Sequence, residues 1–114
     1  MKSLSLNEER NFEIICRAMD GLNIVSFMYA DEGEVTPTRR TVEPFLVGDR
    51  LNTESIQLSA WWLNTPIGTK QGWKTYKLER IKALSIGTTI FNPLLRKGYK
   101  SGKDSRMEHI RKYV

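Results

Sequence analysis

Seven residues carry chemistry that a packed core does not need: Arg39, Arg40, Gln57, Trp61, Lys74, Lys77 and Arg80. Arg presents two parallel donors to one phosphate and Lys a point charge, both charge-assisted. The Trp61 indole offers a stacking plane, which for an unpaired base is worth about 1 to 3 kcal/mol. Brought onto one face, these groups suit a single-stranded nucleic acid or a nucleotide, the donors holding phosphate and the ring a base. Arg80 fits a second role as well, as a scaffold residue paired with Glu43 or with a backbone carbonyl. Trp73, beside a loop, reads as a lid or an interface residue.

Catalytic chemistry finds little support. Cys16, the single cysteine, lies in a helical apolar pattern and reads as a small buried hydrophobe. His109, the single histidine, lies in the basic tail, so no Cys/His pair is suggested and no metal-ligand spacing is present. Glu43 and Glu79 read as salt-bridging acids, not as an acid/base pair with separated pKa values. The expectation is a non-enzymatic protein with no cofactor and no metal.

The elements that must position the seven residues follow from periodicity. Phe12, Ile15, Cys16 and Met19 recur at three- and four-residue steps, which predicts a helix over 6–20. Ser5 and Glu8 form a capping box at its start, and Gly21 supplies a stop. The period then changes to two. Val25, Phe27 and Tyr29 mark a first strand, Thr38 to Val47 a second with Pro44 at an edge or bend, and Ser55 to Leu63 a third. In that third strand Ile56, Leu58, Ala60 and Trp62 fall on the inner face, with Gln57, Ser59 and Trp61 on the other. Trp73 to Leu78 resumes the alternation, with Tyr76 and Leu78 reading as core beside Trp62. Ile81 to Phe91 gives a fifth strand using Leu84, Ile86 and Ile90, with Gly87 at a bulge. Met107, Ile110 and Val114 sit at helical spacing and predict a short terminal helix over 104–112.

The predicted fold is therefore mainly β with flanking helices: an N-terminal helix over 1–22, a five-stranded, partly closed barrel of the SH3 or Sm type over 23–92, and a basic tail over 93–114. At 114 residues one core is expected. Residues 1–92 hold 11 Lys and Arg against 11 Asp and Glu, and residues 93–114 hold 7 against 2, so the whole net charge of +5 lies in the tail. Such a tail fits phosphate tracking or simple solubilisation. The apolar runs fall short of a bilayer span and no signal-peptide core follows Met1, so a cytoplasmic location without membrane contact is expected.

The order of the pieces resembles a known family. Val25-x-Phe27-x-Tyr29, Arg40-x-Val42-Glu43-Pro44, Leu58-Ser59-Ala60-Trp61 and Lys74-Thr75-Tyr76-Lys77-Leu78-Glu79-Arg80-Ile81 resemble the WYL domain of bacterial regulators over residues 12–91. Two departures stand out: the Trp-Tyr-Leu triplet falls on Ile56-Gln57-Leu58, and the arginine that opens the fourth-strand motif is Lys74. The resemblance implies a ligand-sensing domain that binds a nucleic acid or nucleotide effector through basic and aromatic barrel residues, in transcription or defence regulation. Such domains typically follow a DNA-binding winged helix. Here few residues precede the helix, so a standalone module acting through a partner regulatory protein is expected. The alternative is a protein-interaction or homo-oligomerisation module with no nucleic-acid ligand.

Overall fold

A computed structural model describes residues 2–114; Met1, at the head of the first expected segment, lies outside the described residues. The chain begins with α1 (Leu6–Asp20), followed by β1 (Asn23–Tyr29), β2 (Thr38–Arg50), β3 (Ile56–Trp62), β4 (Gly72–Lys77), β5 (Lys82–Ile90) and β6 (Met107–Tyr113). α1 starts as its sequence dictates, with Ser5 Oγ accepting from the Glu8 amide and the Glu8 carboxylate accepting from the Ser5 amide. Gly21 ends it with its N–H on the Arg17 carbonyl, and the left-handed turn that follows is taken by Leu22, at φ 53°, whose N–H reaches the Met19 carbonyl.

The sheet is antiparallel and runs β4-β3-β2-β1-β5, with β6 added to β2. β2 organises it. One edge of β2 carries β3; the other carries β1 along Thr38–Val42 and then β6 along Leu46–Arg50. Pro44, which has no N–H to give a ladder, falls in the gap between these two partners, and the register with β3 shifts just after it. Phe45 is the extra residue of that bulge, and it turns onto the face opposite Val42 and Val47.

The face of the sheet covered by α1, called the inner face, holds the core. Ile15, Ala18 and Met19 of the helix pack with Val25, Phe27, Tyr29, Val42, Val47, Ile56, Leu58, Ala60 and Tyr76. Phe27, Tyr29 and Tyr76 meet edge to face at centroid distances of 5.0 to 6.1 Å. Asn11, buried on α1, donates to the carbonyls of Leu78 and Ile81, which ties the helix to the 3-10 turn Leu78–Arg80 between β4 and β5. A smaller aromatic cluster lies on the outer face: Phe45 touches Trp73, Phe91 and Tyr99 at 4.8 to 5.4 Å.

Three expectations are corrected. The sheet has six strands and an open path with β4 and β5 at its ends, so the barrel is not closed. The terminal helix over 104–112 is absent, and the same residues form β6. Register skips two residues of β6, Glu108 and Arg111, so residues three apart reach one face and imitate a helical repeat. Two irregularities also interrupt the pairing of β5 with β1, one of them beside Gly87, where an added Cβ would come 2.7 Å from Ile24 Cγ1. They turn Ile86 and Ile90 outward, to 40% and 70% exposure, so only Leu84 of the three apolar residues expected inside β5 packs on the core.

Tyr76 is fully buried, yet its hydroxyl has no hydrogen-bond partner among the described residues. An unmet buried donor carries a desolvation penalty of about 1 to 3 kcal/mol. Tyr76→Phe is therefore expected to stabilise the free protein by up to about 1 kcal/mol, read as a higher urea midpoint at unchanged slope.

Candidate functional site

Strand alternation decides which predicted residues meet. Across β1 and β2, Phe27 lies opposite Arg40 and Met28 opposite Arg39; across β3 and β4, Ala60 lies opposite Lys74, Trp61 opposite Trp73 and Gln57 opposite Lys77. Arg40 and Lys74 consequently share the inner face with Phe27 and Ala60. Arg39, Gln57, Trp61 and Lys77 lie on the outer face. The single surface expected to join Arg40, Lys74 and Trp61 is not formed, and the indole beside the two cations is that of Trp62. Arg80 belongs to neither group; it sits half-buried on the 3-10 turn and makes no ion pair among the described residues. Glu43, its expected partner, is bound by Arg96.

On the inner face Arg40 is 2% exposed and stands over the rings of Trp62, Tyr29 and Tyr76 at 4.6, 5.6 and 6.0 Å. Its Nε donates to Thr38 Oγ1, and its Nη2 faces the Tyr29 carbonyl, Asp31 and Glu34 at 3.2 to 3.4 Å. Lys74 Nζ lies 2.9 Å from the other oxygen of Asp31. Burial pushes the Asp31 carboxyl up, but Lys74 and then Arg40 outweigh it and hold the group below its ordinary value of 3.8. Burial pushes the Tyr76 phenol well above its ordinary value, Arg40 opposing, so the hydroxyl keeps its proton at neutral pH. Two cations against two carboxylates leave this cluster with no charge excess.

The outer face is different. The chain from Phe91 to Arg106 crosses it as a strap, held by a bidentate contact of Arg96 with buried Glu43 at 2.5 Å and by Trp73 Nε1 donating to the Lys97 carbonyl at 2.7 Å. Arg96 also covers Trp61, its guanidinium 5.1 Å from the ring, while Trp61 meets Trp73 edge to face. Trp61 is thus packed under the terminal segment and is not a free stacking plane. Between the strap and the β3–β4 surface lies a cleft of about 500 Å³, lined among others by Ser59, Trp73, Lys100, Lys103, Asp104 and Arg106.

The cleft carries unbalanced positive charge. Asp104 accepts from Arg106, and that hydrogen bond is the main reason its carboxyl sits below the ordinary value; Arg106 also donates to Ser59 Oγ. Lys100 and Lys103 make no ion pair among the described residues. Arg50 stands beside the cleft with its Nη1 on two neutral acceptors, Gln57 Oε1 at 3.1 Å and Thr75 Oγ1 at 3.4 Å. Gln57 and Lys77, two of the seven predicted residues, flank it on the same face. Arg50, Lys100, Lys103 and Arg106 are the functional candidates that sequence reasoning missed, although the excess charge of residues 93–114 pointed at three of them.

Because the Asp31 and Asp104 carboxyls are both depressed, each adds stability that is complete above pH about 4, where the unfolded carboxyl is ionised, and is lost as pH falls through the lower folded value. The urea midpoint is expected to fall below pH about 4, and Asp31→Asn with Asp104→Asn to flatten part of that fall.

Comparison with known proteins places the fold. The family model described as WYL domain matches residues 10–86, well over half of the chain. The chain belongs to the WYL domain family. WYL membership puts it in a class of regulatory, ligand-sensing domains. No curated protein matches the chain. Among solved structures it is similar to the proteasome accessory factor B/C (PafBC) of Arthrobacter aurescens, with a TM-score of 0.64 and 23% identity over 79% of this chain. The matched stretch is 13% of that protein's chain, and at this identity the likeness concerns the fold. Within this WYL domain the described residues contain no group of three or more His, Cys, Asp or Glu able to hold a metal ion, and no helix long and apolar enough to cross a membrane.

Proposed function

We propose that this WYL domain is a regulatory module whose effector is a single-stranded nucleic acid or nucleotide bound in the outer-face cleft. The observation that carries the reading is the imbalance of charge there: Lys100, Lys103 and Arg50 have no carboxylate of their own, and the one acid lining the cleft is neutralised by Arg106. An anion entering the cleft meets Lys100 and Lys103, which no carboxylate among the described residues engages, and Arg50, whose acceptors are neutral. Ser59 and Thr75 add neutral donors to a phosphate, and Trp73 offers one ring at the wall. The inner-face cations are a weaker candidate for this role, because Asp31 and Glu34 already neutralise them. Titration with short oligodeoxythymidylate at increasing salt tests the reading. Affinity is expected to fall linearly on a log-log plot, with a slope of about −0.7 for each phosphate held. A flat response removes the proposal.

A second reading, association through a sheet edge, draws support from β5, an end strand that leaves Ile86 and Ile90 exposed. Mass measured in solution separates the two. A stable oligomer that ignores nucleic acid favours the edge.

A further inference from the structure

Among the described residues, β4, β5 and β6 each have one edge that no other strand pairs: β4 and β5 end the path of the sheet, and β6 joins it only through β2. Such an edge offers its N–H and C=O groups to any second chain, and proteins usually blunt it with charge or cover. β6 carries Glu108, His109, Arg111 and Lys112. β4 carries Lys74 and Lys77, is half-buried over most of its length, and gives the Lys77 N–H to Tyr29 Oη. β5 has neither protection. Its residues from Ala83 to Ile90 are uncharged, and seven of the nine positions Lys82–Ile90 are exposed. Its two irregularities turn isoleucines outward instead of blunting the edge.

The uncharged run continues beyond the strand, so that residues 83–95 hold no Asp, Glu, Lys or Arg in a chain of net charge +5. Four aliphatic side chains in it face solvent. Ile86 and Ile90 stand on β5, and Leu94 and Leu95, at 81% and 72% exposure, on the 3-10 turn Pro93–Leu95 just after it. Together they leave aliphatic surface on the order of 500 Å² in water, near the upper end of the largest patch on a typical monomer.

We propose that β5 is a homodimer interface, the β5 edges of two copies pairing antiparallel about Thr88. The dimer depends on the sheet-edge reading and supplies its partner and register. Charge, register and closure select a second copy as the occupant. Two chains of net charge +5 approach closely only where neither presents a cation, and this stretch presents none. Pairing about Thr88 sets Ile86 of each copy opposite Ile90 of the other, twice by symmetry, with Thr88 facing Thr88 on the axis; cross-strand pairs of β-branched residues are the kind that stabilise antiparallel sheets. Lys82 then comes beside the 3-10 turn of the second copy, where its methylene stem covers Leu94. Because β4 is half-buried and its end is taken by Tyr29, a head-to-tail β4-to-β5 chain is blocked, and the isologous contact closes at two copies. Two patches cover about 1,000 Å² in all, the low end for a specific interface, so the dimer is reversible. None of residues 83–95 lines the outer-face cleft, and the dimer and the cleft reading stand or fall separately.

The whole chain, followed by sedimentation equilibrium at rising concentration, is expected to show a monomer–dimer equilibrium with a Kd of about 1 to 100 μM. Thr88→Lys, at an exposed position, sets two cations opposite each other on the axis and is expected to raise Kd about a hundredfold. Ile67→Lys adds the same charge to an exposed residue outside the patch and is expected to change Kd by less than about threefold. Disulfide trapping in a Cys16→Ala background reads the register. Thr88→Cys brings the two thiols opposite each other, within disulfide reach, and is expected to give a covalent dimer. Ser85→Cys leaves them about 20 Å apart and is expected to give none. A monomer at every concentration overturns the dimer and, with it, self-association through this edge. Dimers that persist in Thr88→Lys, or that Ser85→Cys traps and Thr88→Cys does not, overturn the proposed pairing while leaving association through a sheet edge standing.

Discussion

Replacing Arg96 by Ala is expected to destabilise the protein by about 3 kcal/mol, because it leaves the Glu43 carboxylate, 3% exposed, without its cation. The magnitude follows from an asymmetry. A pair taken out of water gains little over an apolar pair of the same volume, but one member left behind bears its whole desolvation cost. Arg96 keeps 21% of its side chain exposed, which sets the estimate near the lower end of the range for broken buried pairs. Glu43→Leu combined with Arg96→Met is accordingly expected to lose no more than about 1 kcal/mol. Urea denaturation of the three variants reads this directly. Loss of Arg96 also uncovers Trp61 and frees the strap, so acrylamide quenching of tryptophan fluorescence is expected to rise in the native baseline. An Arg96→Ala loss below about 1 kcal/mol would mean the contact behaves as an exposed ion pair.

The second large effect concerns the ligand. Arg50→Ala, Lys100→Ala and Lys103→Ala together are expected to weaken binding of a short single strand about a hundredfold at low salt and to flatten the salt slope by about 2, three contacts at about 0.7 each. Stability should change little, since Lys100 and Lys103 are exposed and make no ion pair among the described residues; Arg50 loses only its contacts to Gln57 and Thr75. Removal of the same net charge elsewhere, through Arg10→Ala, Lys70→Ala and Lys82→Ala, controls for long-range attraction. These three are exposed and stand outside the cleft. A hundredfold loss with the cleft variant and a few-fold loss with the control is the expected pattern. Equal losses would reduce the interaction to the overall charge.

The elements that position both sites follow from patterns written within single strands. The capping box at Ser5 and Glu8, the apolar face of α1 and the alternation of Val25, Phe27 and Tyr29 each depend on neighbours a few residues away, and α1 spans the residues predicted for it. Gln57 and Ser59 show where local reasoning stops. Alternation puts them on the outer face, as expected, but they are buried, Ser59 beneath Arg106 of the strap and Gln57 against Arg50 of β2, and such cover is a long-range fact. β6 was hidden for a related reason: its two irregularities give Met107 and Ile110 a three-residue spacing that mimics a helix.

The candidate site was legible by residue type and illegible by side. Arg40 and Lys74 do meet, but the ring beside them is Trp62, because alternation sends Trp61 to the opposite face with Trp73. Two adjacent tryptophans offer no compositional hint as to which accompanies a cation. The assignment needs the register of β3 against β4, fixed by Leu58 opposite Tyr76. Arg50 was overlooked since nothing local distinguishes it from a solvated arginine. Its position next to Thr75 depends on β2 continuing past the bulge at Phe45 for its full 13 residues.

The claim most open to direct test is that the effector lies in the cleft between the strap and β3–β4. Amide and indole shifts of the nitrogen-15 labelled protein, followed during titration with oligodeoxythymidylate of about six nucleotides, locate it. The largest shifts are expected at Ser59, Thr75, the Trp73 indole, Gly98 and Gly102, fading as salt is raised. Saturable shifts gathered on the α1 side of the sheet with none at these five positions, or no shifts at low salt, would contradict it.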